Sequence, residues 1–207
     1  MDQAEYERRK SELNRQLRDF SNRLNTANNS ISTCRSEIQT LENNIRTYAN
    51  QLSDTNAQIN QTEKDINTHQ LLLSQVKKAS QALRATVADK KTRANAVSVY
   101  AKSVSFARTY FDEMNGRLTG SENTRVSLGM ENAQSSVNKK ISSLNSERDS
   151  LKARARNLEA GLTDAKNRIA LLNSHISGYE RERRSHQSTI SQINQQLQQL
   201  ERQRSLG

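Results

Sequence analysis

Three histidines, one cysteine and many serines are the side chains here that could ligate a metal or attack a substrate. His69, His175 and His186 are scattered, and no two stand at the spacing that brings metal ligands onto one helical face. The serines have no His/Asp partner pattern and no nucleophile elbow, so hydrolase chemistry is not expected. Gly116-x-x-x-Gly120 lacks the lysine and the preceding strand of a phosphate loop. Cys34 is the single cysteine, which excludes an intrachain disulfide but leaves a thiol able to join two copies under oxidising conditions. The residues therefore predict no enzyme, no cofactor and no metal site.

Charge is the remaining chemistry. Clusters at Arg8-Arg9-Lys10, Lys77-Lys78, Lys90-Lys91-x-Arg93, Lys139-Lys140, Lys152-x-Arg154-x-Arg156 and Arg181-x-Arg183-Arg184 contribute to a net +10. Such a surface attracts phosphates, anionic lipid or an acidic protein. Glu147, Glu159, Asp164, Glu180 and Glu182 interrupt the runs, as on the solvated flank of a coiled coil.

The elements that carry these residues are helices. Of 207 residues only 32% are hydrophobic and none is tryptophan. That is too little for a compact core of this size, but a coiled-coil seam needs only two positions in seven. Leu17, Leu24, Ile31, Ile38, Ile45, Leu52, Ile59, Ile66, Leu73, Ser80 and Val87 form one heptad set. Leu13, Phe20, Ala27, Cys34, Leu41, Tyr48, Thr55, Thr62, His69, Val76 and Leu83 form the other. The phase runs through Asn28-Asn29-Ser30 without a slip, which predicts one continuous helix. A second ladder holds Val137, Leu144, Leu151, Leu158, Ala165, Leu172, Tyr179, His186, Ile193 and Leu200. Its companion holds Ile141, Arg148, Ala155, Leu162, Ile169, Ile176, Arg183, Ile190, Leu197 and Arg204. His69 and His186 thus read as polar layers in a seam.

Between the ladders the pattern broadens. Over 88–114, Val97, Val99, Tyr100, Val104, Phe106, Tyr110, Phe111 and Met114 spread over more than one face, so this helix is expected to touch more than one neighbour. The neighbour is either a partner chain or a thicker local core.

With no proline in the chain, the expected reversal is the glycine pair at 115–123, where Asn115, Gly116, Leu118 and Gly120 precede the candidate caps Ser121, Asn123 and Thr124. The fold predicted is all-α: a long antiparallel coiled-coil helical hairpin with a first helix over 1–114 and a second over 124–207. Reversal at Thr119 pairs Leu73 with Ala165, Val76 with Leu162, Ser80 with Leu158, Leu83 with Ala155, Thr55 with Arg183, Lys90 with Arg148 and Cys34 with Arg204. A shift of one heptad keeps the turn within the same glycine region. On this register 1–33 overhangs by roughly 45 Å at 1.5 Å per residue. Its stripe of Leu13, Leu17, Phe20 and Leu24 would then need a second copy, a partner helix, or a fold-back near Asn28-Asn29.

The stretch Phe111-Asp112-Glu113-Met114-Asn115-Gly116-Arg117-Leu118-Thr119-Gly120-Ser121 resembles the WXG-type helical hairpins of type VII secretion. Within them it is most similar to the helical partners of LXG-type effectors. The resemblance covers about residues 80–170, with Leu118 in the place of the family's tryptophan and Gly120 in that of its glycine. It departs from the family in having no tryptophan, and Arg183 stands where an acidic residue would follow Tyr179. What the resemblance implies is a small leaderless protein that binds an effector's N-terminal helices.

The polar N-terminus and the lack of a long apolar run predict cytoplasmic synthesis and no membrane span, with export lacking a cleaved signal left open. Three functions stand in order: a protein that binds partner helices, possible as a homo-oligomer; a structural or self-assembling coiled-coil spacer; and a basic coiled coil associated with nucleic acid.

Overall fold

Asp2 starts the first helix. Its carboxylate accepts the Glu5 amide at 2.8 Å and its carbonyl accepts the Tyr6 amide at 3.1 Å, which satisfies first-turn donors that have no partner within the helix. Helix α1 then runs Gln3–Ala101, 99 residues containing neither glycine nor proline. Helices α2, Ser105–Thr119, and α3, Ser121–Ser205, follow. The computed structural model describes residues 2–101 and 105–205, and of Tyr100, Ala101 and Ser205 it describes the backbone only. No strand occurs among the described residues, and the fold is an all-α antiparallel coiled-coil hairpin.

Much of α1 is polar, and the structure shows why it stays helical. The hydroxyls of Thr26, Thr40, Thr47, Thr62 and Thr68 each donate to the carbonyl four residues earlier, so they do not draw the backbone into turns. The heptad seam supplies the rest. Every seam residue named above from Leu13 to Val87 and from Val137 to Leu200 is buried or half-buried, and only Arg204 is exposed.

The chain forms two units, one of residues 1–52 with 156–207 and the other of 53–155. In the first, Lys10 meets Glu201, Arg35 meets Glu180 and Glu37 meets Arg168, so numbers rise along α1 as they fall along α3. In the second, Glu63 meets Lys152 and Arg84 meets Glu131, again antiparallel.

These contacts overturn the expected register. Arg204 does not lie opposite Cys34; its guanidinium covers the Tyr6 ring at 4.6 Å. Leu83 and Val87 share a cavity wall with Asn123 and Ser127, so Leu83 is not opposite Ala155. Arg148 acts electrostatically on Glu63, not across from Lys90. This register centres well before 115–123, so the chain does not reverse across that stretch. Helix α1 ends at Ala101, before 114, and α3 begins at Ser121, before 124.

The reason is packing. Ala107, Phe111, Met114 and Leu118 continue the alternation of four and three into the expected turn, and all four are buried or half-buried. Together they outweigh two glycines that cost roughly 1 kcal/mol each in a helix. What the glycines produce is a one-residue bend at Gly120. Beyond it Asn123, Ser127 and Met130 take the covered positions while Ser121 and Arg125 are exposed, so the bend absorbs a slip in heptad phase. The Asn123 side-chain amide donates to the Leu118 carbonyl at 3.0 Å, capturing an acceptor that the bend releases. A β-carbon on Gly120 would collide with the Gly116 carbonyl oxygen, so this geometry requires glycine.

Candidate interaction surface

The expected overhang is closed. Tyr6 is 3% exposed between Arg204 and Lys10, whose ammonium lies 5.5 Å from the ring centroid. Phe20 packs at 5.8 Å against His186. Leu13 lines a groove of about 610 Å³ with Gln196 and Leu200, and Leu17 and Leu24 are half-buried. The stripe assigned to a partner over 1–33 is therefore covered by the C-terminal part of α3, and no fold-back interrupts α1.

The broad apolar face divides in two. Val97, Phe111 and Met114 are half-buried, in line with buried Ala94, Ala107 and Leu118, so they belong to the seam. Val99 and Phe106 are open at 70% and 78%, and Tyr110, one turn after Phe106 on α2, is exposed. Val104 and the side chain of Tyr100 lie outside the described residues. Of the turn residues, Leu118 is buried at the end of α2, Gly116 is helical and Gly120 is the bend. Val126 and Leu128 on α3 are also exposed and were not singled out by the sequence.

Opposite charges join the helices at several points. Glu63 is held below the ordinary carboxylate range, first by its hydrogen bond from Lys152 at 2.9 Å, then by the charges of Lys152 and Arg148. Lys10 is held above its ordinary value by the hydrogen bond to the Tyr6 hydroxyl at 3.3 Å, with Glu201 adding to it. Glu37 raises Arg168 through a 2.8 Å bond. All of these side chains reach solvent, so they steer register more than they add stability.

The histidines do not converge. His69 Nδ1 donates to the Asp65 carbonyl at 2.8 Å, and His175 is exposed. His186 sits in the seam with Nδ1 buried and unbonded, one turn from Arg183, whose Nε is likewise buried and unbonded. Among the described residues no group of three His, Cys, Asp or Glu is placed to hold a metal ion, and no helix is long and apolar enough to cross a membrane. Cys34 is buried in the seam, so its thiol is shielded from a second copy.

Two contacts escaped the sequence reading. Tyr6 stands one heptad before Leu13, and extending the ladder back would have found it. Gly161 faces the Tyr48 ring, where a β-carbon would come within 3.2 Å of Cε2. The side chain absent at 161 makes room for an aromatic on the facing helix.

The fold defines a coiled-coil hairpin protein, with Val99, Phe106 and Tyr110 exposed outside its seam. No protein-family model and no curated protein matches the chain. Among solved structures it is similar to a coiled-coil segment of Pyrococcus yayanosii Smc, residues 345–468 and 694–814. The TM-score is 0.49 and the identity 15%, over 98% of this chain and 94% of that one.

Proposed function

We propose that this chain is a non-enzymatic structural coiled-coil hairpin that presents an apolar face beside its reversal to a protein partner. The observation that supports this is where apolar surface is closed and where it is left open. The seam is covered at the chain ends, with Tyr6 and Leu200 at 3% and 5% exposure, whereas Val99 and Phe106 are uncovered. Among the described residues the seam from Leu13 to Val87 and from Val137 to Leu200 is covered, so a partner meets the hairpin outside the seam.

Sizing and co-purification of Phe106→Glu test the reading. The variant should stay helical and monomeric and lose its partner. A wild-type protein that associates through Leu17 and Leu24, and loses that association in Leu17→Asp/Leu24→Asp with the hairpin intact, would overturn it.

The narrower reading is a helical partner of a type VII secretion effector. It rests on Leu118-Thr119-Gly120, which here end a helix and form a bend. Co-purification with the N-terminal helices of an LXG-type effector supports that reading, and failure of the two to associate removes it.

A further inference from the structure

We infer that His186 is a proton-operated latch in the seam of the unit formed by residues 1–52 and 156–207. Charging its ring parts α1 around Phe20 from α3 around His186. The inference concerns the seam and stands apart from the exposed residues near the reversal.

His186 occupies the heptad set that also holds Leu172, Tyr179, Ile193 and Leu200, and of these Leu172, Ile193 and Leu200 are buried. Its ring meets that of Phe20 across the seam, with centroids 5.8 Å apart and planes tilted by 50°. Nδ1 is buried and has no hydrogen-bond partner. A neutral ring tolerates that position, because its proton can sit on Nε2 and leave Nδ1 bare. A charged ring carries a proton on both nitrogens, so an N–H is then buried without an acceptor. Moving the ring out to water restores the missing bond, and the seam contact with Phe20 is lost.

The groups around the ring do not offset this. On α1, Arg23 lies over the Phe20 ring at 5.5 Å and pairs with Asp19 at 3.0 Å, so that aromatic face and that carboxylate are already engaged. On α3, Arg183 stands one turn before His186 with its own Nε buried and unbonded. Glu182 lines a cavity of about 270 Å³ with Arg23, Tyr179 and His186, but it is exposed and water screens it. Two arginines and two carboxylates balance, and the imidazolium adds an uncompensated positive charge beside Arg183. His69, whose Nδ1 donates to the Asp65 carbonyl at 2.8 Å, and His175, which is exposed, lack this setting.

Hydrogen exchange of the full chain tests the latch, read by mass spectrometry at about pH 7.5 and about pH 5.5, which bracket histidine charging. After correction for the intrinsic pH dependence of exchange, protection over residues 17–27 and 179–193 should fall at least about tenfold at the lower pH, with 59–66 unchanged. His186→Leu and His186→Gln, neither of which titrates, should remove that fall, and His175→Gln should keep it. In the wild type, the ring proton resonance of His186 should move over the same pH range as the protection. Ring charging with protection intact overturns the inference, whatever the variants do. A fall that persists in both His186 variants, or one that is equal at 59–66, overturns it as well.

Discussion

Arg204 lies over the ring of Tyr6, its guanidinium carbon 4.6 Å from the centroid, and so ties the last turn of α3 to the first turns of α1. Leu200 is buried one turn earlier, and Lys10 reaches Glu201 at 3.5 Å. Removing this clasp should free only the nearby backbone. Arg204→Ala with Leu200→Ala is expected to speed amide exchange over about residues 6–13 and to leave 59–66 unchanged, because opening is local when few buried contacts are lost. Unchanged exchange at 6–13 would show that those residues are held by something else.

Leu171 and Leu172 are adjacent leucines with opposite environments, 46% and 2% exposed. Leu172→Ala should cost about 2–5 kcal/mol in denaturant unfolding, the range for a buried leucine. Leu171→Ala should stay within about 0.5 kcal/mol, as exposed substitutions do. Similar losses from both would contradict the seam assignment.

The glycines differ in what a methyl group would meet. Gly178 has nothing within 4 Å of an added β-carbon, so Gly178→Ala should stabilise by up to about 1 kcal/mol through helix propensity. Gly161→Ala should gain less, since its methyl presses on the Tyr48 ring. Gly120→Ala should destabilise, because the new carbon meets backbone at Gly116. Thermal melts of the three should fall in that order.

Glu63 has its carboxyl lowered in the folded chain below the ordinary 4.5, chiefly by Lys152. A lowered folded value gives stability that is full above the unfolded value and lost as pH falls through the folded one. The difference in Tm between wild type and Glu63→Gln should therefore be present at neutral pH and vanish as pH falls through the folded carboxyl's lowered value. A difference independent of pH would assign the effect to packing.

The seam was legible because its heptads hold from Leu13 to Val87 and from Val137 to Leu200, and burial follows them position by position. The reversal was not. The strongest breakers in the sequence, Gly116 and Gly120, sit where a phase slip needs a bend, while Lys102, Ser103 and Val104 between α1 and α2 include neither glycine nor proline. Ala107, Phe111, Met114 and Leu118 carried the missing signal, since their spacing shows the seam continuing past the glycines' approach. The wrong centre then displaced every cross-helix pair and created an overhang at Leu13, Leu17, Phe20 and Leu24. The partner face was legible only as a broadening of the apolar pattern. Periodicity alone does not divide Val99, Phe106 and Tyr110, which are open, from Val97, Phe111 and Met114, which are covered.

The register decides whether the chain closes on itself, and one distance measurement tests it. In a Cys34→Ser background, spin labels at Glu37 and Arg168 are compared with labels at Glu37 and Glu201 by double electron–electron resonance. The bond from Arg168 to Glu37 at 2.8 Å predicts a short separation for the first pair, within about 20 Å given helix axes roughly 10 Å apart. The second pair should lie about 50 Å apart, the rise of α3 from 168 to 201 at about 1.5 Å per residue. A long distance for Glu37/Arg168 with a short one for Glu37/Glu201 would place the reversal at Thr119 and contradict the self-closed hairpin.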